Sequence, residues 1–366
     1  MTQALQPVST STAADPPEVT PARRHQGFRI HWAVRRLIEM PVNLMVFCVF
    51  VFFFARLVPG DPLAASSTLL SEDQVLARRA ELGLDDPLLT QLWMFLKSMA
   101  TFDLGNGITD GQSIADQIAQ RLPMSLQLTI LGLGASVLVS IVAAFVAALW
   151  PRTLIARSIR WVGRSAGAFP DFAVGVLLIF VFYTVLSWAP APMGPISPVL
   201  TMPPRITGFP LLDALFAGDL AAAGSLVEHL WLPVVVIVLS FGPMMLKVLV
   251  LAVDSAVNSP QIRFMVSLGV SRPVVLRSVL KTAMPTTIAN LGNLTVLVLG
   301  GTIVVEQLFS LGGLGQYAVQ AVQAADITIV QSFIVVYAAI CLVIFLACDL
   351  AIAAIDRRRG LDVHSN

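Results

Sequence analysis

Six long apolar segments dominate the pattern of hydrophobic and polar positions along the chain. Each reaches or approaches the roughly 20 residues that a helix needs to cross the hydrocarbon core of a membrane. Because backbone polar groups must be satisfied internally there, the segments predict helices, and no series of alternating strands of about ten residues indicates a β-barrel. The pattern therefore predicts an all-α integral membrane protein with six transmembrane helices. The segments are Leu37–Leu57, Met124–Trp150, Gly167–Trp188, His229–Val253, Thr286–Val305 and Ile327–Ile355.

Basic residues mark one side of this predicted bundle. Of the 23 Lys and Arg residues, 16 lie before the first segment, between the second and third, between the fourth and fifth, or after the sixth. These connections alternate with the others and share one face of the membrane. The positive-inside bias places that face, and both termini, in the cytoplasm.

The connections divide the chain further. Residues 1–34 are rich in Pro, Ser, Thr and Ala and predict a disordered cytoplasmic extension, and residues 357–366 a cytoplasmic tail. Between them, residues 35–356 form the six-span domain. Its first outer connection, residues 59–122, predicts a folded cap with two helical stretches, the first of them capped by Ser71. The second outer connection, residues 189–228, is rich in proline and predicts an irregular, extended loop.

The inner connection at residues 254–285 carries the clearest local signals. Ser259 and Pro260 are typical of a helix start, and Gly269 predicts a left-handed helix end. Ser271 is then placed to cap a second helix. The resulting helix, glycine turn and helix is apolar on one side and basic on the other, which suits docking into a groove of a cytoplasmic partner. An amphipathic loop whose arginines face anionic lipid fits the same pattern.

Charged residues are few near the apolar segments, and Glu306 is notable among them. Gly300 and Gly301 precede it and permit either a close helix approach or a break. Because a buried charge is costly in lipid, Glu306 must face the bundle, a water path or the interface. A gate or subunit contact and an interfacial structural role both remain open for it.

Several kinds of chemistry are absent from the sequence. No GxxxxGK[ST] phosphate loop occurs, so the chain is not expected to bind ATP by that mechanism. The four histidines are scattered, no Ser/His/Asp arrangement lies within the spans, and neither a metal nor a cofactor site is expected. Cys48, Cys341 and Cys348 fall within spans and indicate buried thiols rather than disulfides. The chain is therefore not expected to be an enzyme.

Seven pieces of sequence, in order, resemble the B-type permease subunit of ABC importers of the dipeptide, oligopeptide and nickel class. They cover residues 35–358. The pieces are RLVPGDP, LGLDDPLLTQL with FDLG, RLPMSLQLTILGL, AFPDFAVGVLLIFVF, LWLPVVVIVLSFG, GGTIVVEQLFSLGGLGQYAVQAV and CDLAIAAIDRR. The chain has MVSLG before the inner glycine turn, where this family usually has Ala-Arg-Ala-Lys-Gly.

The resemblance implies a type I importer permease fold and a place in a bacterial inner membrane. Its implied partners are a second homologous permease, two ATPase subunits that use ATP and Mg²⁺, an extracytoplasmic solute-binding protein and membrane lipid, with no nucleic acid. Peptides are the expected solutes, and nickel chelates or another small solute are the alternative. A secondary transporter is a further alternative, although the chain shows no convincing half-repeat. From the residues themselves, Gly300, Gly301 and Glu306 are the candidates for a pathway or gate role. Coupling to the ATPase is expected of Ile262, Arg263, Met265, Val266, Leu268, Gly269, Val270 and Arg272.

Overall fold

The computed structural model describes residues 27–57, 85–109, 111–165, 167 and 170–355. Within this part of the chain the regular structure is helical, with one isolated antiparallel bridge between Asn106 and Ser113. The helices are α1 (Gly27–Leu57), α2 (Leu88–Ala100), α3 (Ile114–Leu149), α4 (Leu154–Arg164), α5 (Asp171–Ile179, continued by the π-helical turn Phe180–Val185), α6 (Pro210–Phe216), α7 (Leu220–Val257), α8 (Pro260–Ser267), α9 (Arg272–Phe309), α10 (Leu314–Gln323) and α11 (Ile327–Ile355).

Five of the predicted spans are confirmed as helices long and apolar enough to cross a membrane: α1, α3, α7, α9 and α11. Most extend beyond the apolar segments that predicted them. For example, α9 begins at Arg272 and runs through Pro285 without a break. Helix formation is cooperative, so a helix continues through polar residues until a capping or breaking signal stops it.

The third predicted span, Gly167–Trp188, is shorter in the structure. Its helix begins at Asp171, immediately after Pro170, and its regular turns end at Val185. Pro170 takes the extended conformation that precedes a helix, and Ser187 adopts a left-handed conformation that stops it. At about 1.5 Å per residue the helix is roughly 20 Å long, less than the roughly 30 Å of a hydrocarbon core.

Helix α1 extends beyond the predicted first span, whose membrane-spanning part at Ile38–Arg56 is confirmed. It begins at Gly27, ten residues before the apolar segment. No proline interrupts the chain from Gly27 until Pro41, so the helix also includes the mixed apolar and basic segment GFRIHWAVRR. The predicted disordered extension therefore does not include residues 27–34. Residues 1–26 and the predicted tail at 357–366 lie outside the described residues.

Helix α7 lies at the centre of the bundle, packed against α3 and α9. Small side chains bring these helices close together. A methyl group at Gly132 of α3 would lie 2.7 Å from Ile237 Cδ1 of α7, and Ser140 Oγ donates a hydrogen bond of 3.2 Å to the Gly242 carbonyl. Such contacts are typical of helix packing inside membranes, where apolar burial alone gives little preference for a partner helix.

Helix α1 packs against α11 and α2 at the side of the bundle. Cys48 and Val51 of α1 form a small core with Val335 of α11. All three cysteines of the chain are free: Cys48 is buried, as predicted, whereas Cys341 and Cys348 are half-buried.

Short helices gather at the two ends of the bundle, which we name the α8 end and the α10 end. At the α8 end, Arg160 of α4 forms an ion pair of 3.3 Å with Asp254 of α7. At the α10 end, Ile114 and Ile118 of α3 form one core with Leu314 of α10. The alternating directions of the long helices thus separate the two sets of connections.

Part of the predicted cap at residues 59–122 is confirmed. Its second helical stretch is α2, and Ser113 caps α3 by accepting a hydrogen bond of 3.3 Å from the Asp116 amide. The buried carboxylate of Asp326 holds the end of this connection, since its Oδ2 accepts a hydrogen bond of 2.9 Å from the Thr109 amide. The predicted first stretch, with Ser71 at its start, lies outside the described residues.

The proline-rich connection is more ordered than the sequence predicts. It contains α6, and α7 begins at Leu220, inside the range predicted to be an extended loop. Asp213 of α6 is buried and accepts hydrogen bonds of 2.6 Å from both the amide and the hydroxyl of Thr207, and one of 3.0 Å from the Gly208 amide. Burial alone would raise the pKa of Asp213, but these bonds from Thr207 and Gly208 hold its pKa below the ordinary value.

Candidate functional site

The helix α8 and the turn after it form the first candidate site. Ser259 precedes α8 and its hydroxyl accepts a hydrogen bond of 3.4 Å from the Ile262 amide, while Pro260 occupies the first helical position. The predicted start of this helix is therefore confirmed. A proline fits there because the first amide groups of a helix have no partner within the helix.

Gly269 ends α8 in the left-handed conformation, with φ at +71°. The amide of Gly269 donates to the Val266 carbonyl at 3.0 Å, and the amide of Val270 donates to the Met265 carbonyl at 3.2 Å. This is the pattern of a glycine-terminated helix end. No atom lies within 4 Å of the position that a Cβ would take, so conformation and not space favours glycine here.

The second predicted cap differs from the structure. Ser271 stands at the start of α9, but its side chain makes no capping hydrogen bond. The predicted second short helix is the first part of α9 itself, which continues into the fifth span. Movement of the turn at Gly269 would therefore be transmitted directly to a long helix.

The predicted coupling residues separate into two groups by exposure. Ile262 is buried in a core with Val253 and Val279, and Met265 and Val270 are half-buried. The others are exposed: Arg263, Val266, Leu268, Gly269 and Arg272.

Phe264 is an exposed residue of α8 that sequence reasoning missed. It is 63% exposed and lies one turn from Leu268, which is 64% exposed. Ile262 and Met265, which the sequence placed among the coupling residues, instead pack toward the bundle. A large aromatic residue on a short helix was the available signal. Exposed apolar side chains of this size, on a short ordered helix, are typical of contact surfaces.

Glu306 lies at the centre of a second candidate site, at the α10 end. Its side chain is fully buried. Its Oε2 accepts a hydrogen bond of 3.1 Å from the Gln316 amide. Ser125 Oγ in turn accepts a hydrogen bond of 2.8 Å from the Leu314 amide. Glu306 and Ser125 together fasten the start of α10 to α9 and α3, and we call this group the Glu306 cluster.

Two glycines make the Glu306 cluster possible. A methyl group at Gly313 would lie 2.5 Å from Glu306 Oε2 and 2.7 Å from Ser125 Oγ. One at Gly315 would lie 2.7 Å from the Cα atom of Ile303. The GGLG sequence therefore allows α10 to approach α9 closely.

A cavity of about 10 Å³ adjoins the cluster and is lined by Glu306, Ser125 and Tyr337. Glu306 Oε1 and the Tyr337 hydroxyl are buried there without a hydrogen-bond partner among the described residues. No ion pair joins Glu306 to a Lys or Arg in the same part of the chain.

The structure brings only part of the predicted gate together. Gly300 faces Tyr337, whose hydroxyl would lie 3.9 Å from an added methyl group. Gly301 faces Phe241 of α7 and Asp171 of α5, and α9 remains continuous through both glycines. Gly301 therefore allows α9 to lie close to α5 and α7. Asp171 is a neighbour of Gly301 that sequence reasoning did not identify. No cluster of potential metal ligands occurs among the described residues.

Long apolar helices, a short exposed helix at one end and tightly fastened loops at the other are the architecture of a helical membrane protein. Residues 136–360 match the family described as the binding-protein-dependent transport system inner membrane component. Residues 29–129 match the N-terminal part of such membrane components. The chain belongs to this family and is a permease subunit of an ABC importer, as its resemblance implied.

Characterised relatives agree with this assignment. The glutathione transport system permease protein GsiC of Escherichia coli O6:H1 (strain CFT073) is 28% identical over 329 residues, which cover 89% of this chain and 98% of that protein. GsiC of Escherichia coli K12 is 27% identical over the same coverage. GsiC of Shigella boydii serotype 4 is 28% identical, again with the same coverage.

Proposed function

We propose that this permease subunit forms half of the pathway by which a bacterial cell imports di- or oligopeptides or similarly small peptide-like solutes. The observation that carries the choice of solute is the likeness to glutathione permeases over nearly their whole length. Nickel chelates remain the alternative. In the proposed complex, an extracytoplasmic binding protein delivers the solute and a second homologous permease forms the other half of the pathway.

The proposed orientation places the α8 end in the cytoplasm. Its support is the distribution of basic residues, 16 of 23 of which belong to this side or to the terminal segments. Both termini then lie in the cytoplasm, and the connections around α6 and α10 face outward.

The α8 helix is the proposed contact with an ATPase subunit. Phe264 and Leu268 offer an apolar contact, and the turn at Gly269 joins that contact to the long helix α9. In this proposal, ATP and Mg²⁺ bind to the partner ATPases. ATP-driven approach of the two ATPases would move α8, and α9 would transmit the movement toward the Glu306 cluster.

The Glu306 cluster is the proposed fastening of the outer gate. Its support is the pair of polar links that join α10 to α9 and α3. The close packing of α10 at Gly313 and Gly315 favours discrete arrangements over continuous deformation, as alternating access requires.

Uptake by the reconstituted complex tests this function. Proteoliposomes that contain both permeases and both ATPases, supplied with the binding protein, are expected to accumulate a labelled dipeptide only when ATP is present on the ATPase side. Accumulation of a nickel chelate but of no peptide would assign the alternative solute. Uptake driven by an ion gradient without ATP would contradict the proposal.

A further inference from the structure

A pocket of about 430 Å³ lies at the α8 end, where α3, α7, α8 and α9 meet. Its walls include Ala148 of α3, Val257 of α7, Val266 of α8 and Leu276 of α9. The volume falls within the range of small-molecule binding sites. It is large enough for a flexible apolar chain, and none of the functions above uses it.

The chemistry of this pocket changes from its interior to its mouth. The interior is apolar, and the polar lining residues are Asn258 and Arg263, whose side chains hydrogen bond at 3.4 Å. Arg272 is exposed at the start of α9 and precedes the lining residue Leu276 by four positions, so it lies on the same helix face. No acidic residue lines the pocket, and the nearby Asp254 is paired with Arg160. Such a pocket suits a ligand with an apolar chain and an anionic head.

The position of the pocket along the helices favours a lipid. Leu149 lines the pocket one residue before the end of the second apolar segment, and Val253 lines it at the end of the fourth. The pocket therefore lies at the depth where acyl chains meet headgroups. Arginine side chains there bind phosphate groups of anionic lipids through charge-assisted hydrogen bonds.

The faces of α8 separate this pocket from the proposed ATPase contact. Ile262, Arg263 and Val266 line the pocket. Phe264 and Leu268 do not line it, are exposed, and share a different helix face because they are four residues apart. A lipid and an ATPase can therefore contact α8 at the same time.

We propose that this pocket binds an anionic phospholipid of the cytoplasmic leaflet, with an acyl chain inside and its phosphate at Arg263 and Arg272. The bound lipid fills the space behind α8 and fixes the position of the helix that contacts the ATPase. This inference rests on the proposed orientation and is independent of which solute is transported.

Photo-cross-linking in the reconstituted complex tests the proposal. The probe is phosphatidylglycerol with a diazirine on one acyl chain, and mass spectrometry locates the labelled residues. We expect labelling of peptides that contain Ala148 and Leu276. Unlabelled phosphatidylglycerol should compete, and phosphatidylcholine should compete much less.

The first variant fills the pocket with a larger side chain, and a matched control adds the same side chain outside the pocket. Ala148→Phe places a ring in the cavity, and the labelling of the Leu276 peptide is expected to fall roughly tenfold because several methylene contacts are lost. Val142→Phe adds the same ring to an exposed position of the same helix and should leave the labelling unchanged. Leu276→Trp fills the pocket from the opposite wall. It replaces Ala148→Phe in the test if that variant does not assemble into the complex.

Three results would overturn the proposal. The first is equal labelling in Ala148→Phe and Val142→Phe, and the second is equal competition by both lipids. The third is labelling of the pocket peptides in the free subunit but not in the assembled complex, which would assign the pocket to a partner protein. Because cross-linking does not require transport, failure of peptide uptake would leave this test intact.

Discussion

The α10 end and the α8 end of the bundle are held in different ways. At the α10 end, buried Glu306, Ser125 and Asp326 fasten the connections to the long helices through hydrogen bonds. At the α8 end, a helix of eight residues is joined to α9 by a glycine turn and exposes Phe264 and Leu268. The outer connections are tied to the long helices by buried polar side chains, whereas α8 is held by the packing of Ile262 and by a glycine turn.

This difference explains how one subunit can keep a fixed structure at the α10 end and still respond at the α8 end when a partner moves. Buried polar groups stabilise one arrangement strongly because each lost partner is costly in a low-dielectric interior. An exposed helix with few internal contacts opens at a lower free energy than the core, and binding elements are drawn from such regions. Changes at the α10 end should therefore alter stability, and changes at the α8 end should alter coupling.

The largest loss of stability is expected from Gly315→Ala. The new methyl group would lie 2.7 Å from a backbone atom of Ile303, so α10 must move away from α9 and weaken the Glu306 cluster. We expect a loss of about 3 kcal/mol, measured by thermal unfolding of the purified complex. Gly134→Ala is the control, since its methyl group meets no atom within 4 Å. Equal unfolding temperatures for both variants would show that α10 and α9 are not tightly packed at Gly315.

Gly269→Val should have a smaller effect on stability and a larger one on transport. Valine is strongly disfavoured at a φ of +71°, at a cost of about 2 kcal/mol confined to the turn. We expect the subunit to insert, uptake to fall, and ATPase activity to lose its dependence on the loaded binding protein. Gly269→Asn is the matched control because asparagine tolerates this conformation. Wild-type transport by Gly269→Val would remove the turn from the coupling mechanism.

Asp213→Asn tests the ordered outer connection through its pH dependence. Because the folded-state pKa of Asp213 is lowered, its stabilisation is complete above the ordinary value of about 3.9 and is lost as pH falls through the lower folded value. The variant should therefore unfold more readily than wild type at pH 7, and the difference should shrink below about pH 4. If the stability difference between Asp213→Asn and wild type is constant between pH 7 and pH 3.5, the effect comes from side-chain packing and not from the carboxylate charge.

The smallest effect is expected from Ser259→Ala, which removes the cap of α8. The loss should be about 1 kcal/mol and should appear as faster amide hydrogen exchange within α8. Ser271→Ala is a close control because Ser271 precedes α9 without a side-chain capping bond. Equal exchange in both variants would mean that the Ser259 bond contributes nothing measurable.

The sequence predicted those features that depend on local patterns. Apolar length predicted five long helices, and Ser259, Pro260 and Gly269 predicted the start and end of α8, because caps and turns are local. The third span was predicted too long because hydropathy includes residues beyond the stopping signals at Pro170 and Ser187. The extent of α1 was missed for the opposite reason, since the arginines among its first ten residues interrupt the apolar pattern but not the helix.

The candidate sites were less predictable because their contacts are distant in sequence. Glu306 was identified, but its partner Ser125 lies in another helix, and no local pattern joins them. The side of α8 that faces the bundle depends on packing against α7 and α9, which is why Ile262 was expected outside and Phe264 was missed. Asp213 was overlooked because a carboxylate in a proline-rich segment is usually exposed.

A cross-link from α8 to an ATPase subunit tests the proposed coupling most directly. Leu268→Cys is made in a chain whose native cysteines are replaced, together with a control complex carrying Val199→Cys, which is 89% exposed in the connection before α6. After treatment of the assembled complex with a short bismaleimide, Leu268→Cys should join to an ATPase subunit, with a yield that changes when ATP is added. Val199→Cys should give no such product. A cross-link to the ATPase from Val199→Cys but not from Leu268→Cys would contradict both the orientation and the role of α8.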